Sequence, residues 1–166
     1  MAQSSQQARL GVSLAVAGMG ALCFGFKRSA LSLFGLGVAA LERDWRARHP
    51  EFHAGPRERW QSALTFYRKT HQHPTNRTLH VIGIPLIVGG AAGLFASRPL
   101  SPVSGGLWLG SLGAFGVGWA LNLVGHALYE RQAPAFSEDG LSFLAGPVWD
   151  LEQLLKPRAQ RDSLAR

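Results

Sequence analysis

Leu107-Trp-Leu-Gly-Ser-Leu-Gly-Ala-Phe-Gly-Val-Gly-Trp-Ala-Leu-Asn-Leu-Val-Gly-His-Ala-Leu128 runs for 22 residues without a lysine, arginine, aspartate or glutamate. As an α-helix it reaches about 33 Å, enough to cross a hydrocarbon core of about 30 Å. It reads as a transmembrane helix. Three other charge-free runs accompany it. Val81–Ser97 and Leu10–Phe26 have 17 residues each, the lower limit for a span. Ser29–Leu41 has 13, so it reaches only about 20 Å and reads as a tilted or partly sunk return helix. The competing reading takes the shorter runs as core helices of a soluble protein. The predicted fold is all-α: an integral membrane bundle of two antiparallel helical hairpins, 10–41 and 76–130, with amphipathic interfacial helices.

Composition supports this reading. Charged residues make up 16% of the chain, against about a quarter in soluble domains. The first nine residues hold one arginine and no small-x-small cleavage pattern follows, so the N-terminus is not read as a signal peptide. The single cysteine, Cys23, excludes an internal disulfide and with it the argument for an exported, oxidised domain.

The formal net charge is +7, and eight of the 17 basic residues lie in 43–77 and five in 131–166. The loop between the last two apolar runs carries only Arg98. The positive-inside rule therefore places both basic segments in the cytoplasm. Anionic lipid headgroups account for this charge, so nucleic acid is not an expected partner.

The chain divides into an N-terminal hairpin with a basic linker (1–56), a central membrane domain (57–156) and a polar tail (157–166). Gly55-Pro56 starts a helix in which Trp60, Ala63, Leu64 and Tyr67 share a face, the mark of a helix lying on the membrane surface. It is expected to end near His73, before Pro74. Asn76 is the expected cap of the next helix. Leu141, Leu144, Val148, Leu151 and Leu155 form another apolar stripe, interrupted by Gly146-Pro147. Gly89 and Gly93 are expected to pack on the first hairpin, and Gly110, Ala114 and Gly118 to permit close packing of the last helix.

The histidines stand at the ends of the apolar runs. His71 and His73 precede the third run, Asn76 and His80 open it, and Asn122, His126 and Glu130 close the fourth at i, i+4, i+8. In an antiparallel hairpin these ends meet on one side of the membrane. Ionisable groups at that depth are costly unless used, and several histidines beside a carboxylate suit a divalent transition metal. The alternative makes them interfacial anchors and helix caps. His49 and His53 lie in an arginine-rich stretch and read as a solvated loop.

Tyr67, His71, Pro74, Asn76, His80 and Pro85, followed by Gly125, His126, Glu130, Pro134 and Ala135, resemble the two motifs of the 2-hydroxy fatty acid dioxygenases, membrane proteins of fatty-acid alpha-oxidation with many bacterial relatives. The resemblance covers about residues 60–155. It implies an Fe(II) enzyme that uses O2 to shorten a long-chain 2-hydroxy fatty acid by one carbon. His71, His80 and His126 would be the catalytic metal ligands, with His73 a fourth candidate. Asn76, Glu130, Asn122 and Tyr67 would stand behind them, Glu130 alternatively as a direct ligand. Asn122 replaces a usual glutamine and His73 a usual asparagine, and the N-terminal hairpin lies outside the resemblance. Arg77 or Arg131 would pair with the substrate carboxylate, or else with lipid phosphates. The expected location is the bacterial inner membrane, with the histidines on the cytoplasmic side and self-association left open. The rival hypothesis is a non-catalytic membrane protein that binds lipid or a protein partner on the same fold.

Overall fold

The computed structural model describes residues 6–155; the expected polar tail lies outside the described residues. All regular structure among them is helical: α1 (Gln6–Cys23), α2 (Lys27–Arg48), α3 (Pro56–Lys69), α4 (Pro74–Ala96), α5 (Pro102–Val124) and α6 (Ser142–Leu155). A π-helical turn, Gly125–Glu130, continues α5, and a 3-10 turn, Ala135–Ser137, precedes α6. By length and composition α4 and the continuous segment Pro102–Glu130 could cross a membrane. α1 and α2 do not combine the required length and hydropathy.

α1 and α2 pack through glycine. A Cβ on Gly18 would lie 2.6 Å from the Phe34 nitrogen, and one on Gly37 2.5 Å from that of Ala15. Only a missing side chain allows this approach. α2 does not stop where the apolar run does, at Leu41. It continues for two polar turns to Arg48, supported by the i,i+4 pairs Glu42–Arg46 (2.8 Å) and Asp44–Arg48 (2.9 Å).

α4 and α5 run in opposite directions along a shared seam. Gly83 meets Gly118, and Gly90 meets the backbone of Phe115. Along α4 the residues Asn76, His80, Gly83, Ile87, Gly90 and Leu94 alternate in steps of four and three, the spacing of helices crossing at a shallow angle. This seam corrects two expectations. Gly89 faces open space, and Gly93 packs on Ser111 of α5 instead of the first hairpin. Gly110 is also open, because α5 presents Ser111, Phe115, Gly118 and Asn122 to its neighbour.

α3 buries Arg59, Ala63 and Tyr67. It ends at Lys69, four residues before the expected boundary. The Thr70 hydroxyl closes it on the carbonyls of Phe66 and Tyr67, and residues 71–73 form a link. Pro74 keeps His73 extended, and the His73 ring nitrogen accepts the Thr75 N–H at 3.2 Å. His73, not Asn76, is therefore the cap of α4.

The apolar stripe is not the buried face of α6: Leu144, Val148 and Leu155 are exposed, and Leu141 and Leu151 half-buried. The buried face carries Phe143, Ala145, Gly146, Trp149 and Asp150. Gly146 turns inward because the Tyr67 ring fills the place of its Cβ, 2.7 Å away. Gly146-Pro147 lies inside the helix without ending it.

A buried ion network joins three segments. Arg59, 2% exposed, donates to both oxygens of Asp139 (2.9 and 2.6 Å) and to Glu42 of α2 (2.7 Å). Its guanidinium lies 3.6 Å from the centre of the Trp45 ring. A charge this deep persists only when fully paired, as it is here.

Candidate metal centre

His71, His80 and His126 come from three segments: the link after α3, the second turn of α4 and the π-helical turn that ends α5. All three are buried, and their candidate ligand nitrogens lie within 4.8 Å of one another. Ring centres are 4.6 Å apart for His71 and His80, 4.7 Å for His71 and His126, and 5.0 Å for His80 and His126.

Local backbone geometry aims the rings. His71 Nδ1 lies 2.7 Å from the Tyr67 carbonyl, and His80 Nδ1 lies 3.0 Å from the Asn76 carbonyl. A carbonyl only accepts, so each Nδ1 carries the proton and each Nε2 keeps its lone pair. This is the arrangement that fixes the tautomer of metal-binding histidines. His71 Nε2 and His126 Nδ1 are buried without a partner. Buried nitrogens without a partner are costly, and one ligand nitrogen from each of the three rings lies within 4.8 Å of the others. A divalent cation fits this donor set. Burial, then the neighbouring positive charge that His80 could carry, push the His71 imidazole down to about 3, so it is neutral at ordinary pH, as a ligand must be.

The residues behind the cluster act mostly through position. Asn76 supports His80 with its carbonyl, while its amide donates to Glu130 at 3.1 Å. Glu130 also accepts the His73 N–H at 2.8 Å. Glu130 therefore ties the link and the start of α4 to the end of α5, and it is not in the group of candidate ligands. The π-helical turn places Gly125 and His126 together on the buried side. Such turns recur at functional sites because one extra residue redirects a side chain. Gly125 is required there, since the Asn76 side chain occupies the place of its Cβ.

Tyr67 stacks on His71 at 3.9 Å and donates to Asp150 at 2.6 Å. Burial lifts the Asp150 carboxyl to about 6. Burial, with Asp150 beside it, raises the Tyr67 phenol well above its ordinary value. The sequence reading missed Asp150, although an acidic residue in an otherwise apolar stretch was a usable signal.

Other expected site residues lie elsewhere. His73 is outside the cluster, its ring 5.1 Å from Tyr129. Arg77 lies over Trp149 at 5.3 Å, and Arg131 is exposed in the left-handed region that ends the π-helical turn. His49 stacks on Trp45 at 4.2 Å, and His53 is exposed.

The cluster opens into a cavity of about 430 Å³, within the range of small-molecule sites. Neither Arg77 nor Arg131 lines it, and among the described residues its wall carries no charged side chain. Asn122, one turn before His126, and Ser142 at the start of α6 are polar wall residues, buried with Oδ1 and Oγ unpartnered. Beyond them the lining is aliphatic and aromatic, from Ile84 to Phe95 on α4.

Neither a curated protein nor a solved structure matches the chain. The family model described as 2-hydroxy-palmitic acid dioxygenase Mpo1-like matches residues 58–157, which include all three clustered histidines, Tyr67, Asp150 and the whole α4–α5 pair. The chain belongs to the Mpo1-like family.

Proposed function

We propose that this protein is an Fe(II)-dependent dioxygenase that shortens long-chain 2-hydroxy fatty acids by one carbon. The observation that carries the reading is the buried three-histidine cluster at the end of an uncharged, mostly apolar cavity. That combination suits an amphiphile with a chelating head. Fe(II) held by His71, His80 and His126 would supply O2 activation and an anchor for the substrate's hydroxyl and carboxylate oxygens. No cation lines the cavity among the described residues, and that anchor would also supply charge to the carboxylate. Asn122 offers a neutral hydrogen-bonding group beside it, and Tyr67 with Asp150 holds the His71 ring in place. The overall reaction needs no reductant: R–CH(OH)–COOH and O2 give R–COOH, CO2 and H2O. In this reading α4 and α5 span the bacterial inner membrane, the histidines lie at its cytoplasmic boundary, and α3 rests on the surface.

The test is protein purified without oxygen and assayed for metal, O2 uptake and product mass. We expect one Fe(II)-dependent product, an acid one carbon shorter, and loss of metal and turnover in His80→Ala and His126→Ala while the protein stays in the membrane. Each buried methylene contributes about 0.8 kcal/mol, so a short, soluble 2-hydroxy acid should be a poor substrate. Iron-loaded protein that leaves 2-hydroxy acids of every length intact would overturn the enzyme reading.

A further inference from the structure

We infer that the N-terminal hairpin, α1 and α2, closes the far end of the cavity and sets the length of acyl chain the site accepts. The inference rests on the reading above that the cavity holds the chain of a long 2-hydroxy acid. The family match begins at residue 58, so the hairpin lies wholly outside it. Yet Met19 and Leu22 of α1 and Ala30 and Phe34 of α2 line the cavity, Leu22 and Ala30 beside Leu94 and Phe95, and Phe34 against Phe143 of α6.

The order of residues along α4 gives the direction. His80 stands at the polar end, and Ile84, Ile87, Ala91 and Phe95 follow along the wall. Fifteen helical steps from His80 to Phe95 advance about 22 Å. At that end Leu22 and Ala30 share a buried cluster with Leu94 and Phe115. The Lys27 ammonium donates to the Phe95 carbonyl and fastens the hairpin turn to the end of α4. A tetrahedral chain of ~1.5 Å bonds advances ~1.25 Å per carbon, so ~22 Å corresponds to roughly 17 carbons. A chain anchored at the histidines therefore meets Leu22 and Ala30 near its terminus. Removing bulk at Leu22 should lengthen the site, and adding bulk at Ala30 should shorten it.

The probe is a series of saturated 2-hydroxy fatty acids from roughly five carbons shorter than that length to roughly five longer. They displace a fluorescent fatty acid from the full-length, Fe(II)-loaded protein in detergent, with oxygen excluded so that nothing turns over. Affinity should rise about fourfold per methylene until the chain reaches the hairpin, then level off. Leu22→Ala should move this limit to longer chains by about two carbons. Ala30→Leu should move it to shorter chains by about three, an approximately 60-fold loss for acids at the wild-type limit. Unmoved limits in both folded variants overturn the inference. A second measurement uses wild-type protein and a 2-hydroxy acid with a photoreactive terminal carbon. Cross-links on Met19, Leu22 or Ala30 support the inference, and labelling confined to residues beyond 58 overturns it. Hairpin labelling without turnover at any length would leave this inference standing and remove the dioxygenase reading.

Discussion

Gly125→Ala tests whether the π-helical turn is a built part of the site. The new methyl carbon would stand 2.0 Å from Asn76 Oδ1 and 3.1 Å from its Cγ. Ordinary contact needs about 3.5 Å, so the Asn76 amide must move by more than 1 Å, an approximate figure from normal van der Waals separations. Asn76 is fully buried, so its amide has no solvent to swing into. Movement breaks its bond to Glu130, worth about 1.5–3 kcal/mol when one partner is charged. Overpacking costs about 1–3 kcal/mol more. Against this, alanine in a helix gains about 1 kcal/mol over glycine. The balance is a loss of about 1.5–5 kcal/mol, and without the Asn76–Glu130 bond the start of α4, which carries His80, is less firmly tied to the end of α5. Thermal unfolding in detergent and metal content after dialysis measure the two effects. Gly116→Ala, on the same helix with open space around it, is the control and should not destabilise. A Gly125→Ala protein as stable and as metal-retentive as wild type would refute the reasoning.

The remaining predictions concern the groups that support the site. Asp150 titrates at about 6 in the fold, above its ordinary 3.8. Its stabilising effect is therefore full below about 3.8 and lost as pH rises through about 6. Asp150→Asn should thus gain stability relative to wild type by up to about 3 kcal/mol between pH 4 and pH 7.5; parallel melting curves across that range would contradict this. Arg59→Ala leaves Asp139 buried and unpaired, and should cost about 3–5 kcal/mol by denaturant unfolding. Glu130→Gln keeps an acceptor for the His73 and Asn76 donors, so it should retain more metal than Glu130→Ala; equal loss in both would show that the charge itself matters.

Much of this protein can be read along the chain. Charge-free length marks α4 and α5 as helices that can cross a membrane, but it gives Leu10–Phe26 the same 17 residues as Val81–Ser97, and only length and hydropathy taken over the whole helix separate α1 from α4. Proline and glycine mark the start of α3 at Gly55-Pro56. The two histidine motifs, in order, carry the family. What the chain alone leaves open is direction and register. The apolar stripe of α6 does not tell which face is buried: the structure turns Phe143, Gly146 and Trp149 inward because the Tyr67 ring needs the space at Gly146. His71 and His73 are two residues apart and look equivalent in sequence. One enters the cluster because its Nδ1 reaches the Tyr67 carbonyl, and the other is held at the N-terminus of α4 by the Thr75 N–H. Asp150 reaches Tyr67 across 83 positions, and Glu130 reaches His73 across 57. Local periodicity carries no information about such contacts. Composition, length and motif are properties of neighbours in the chain, so the sequence alone determined the helical class and the family. Which nitrogen faces the cavity, and what closes its far end, are decided by neighbours in space, and only the packed helices define those.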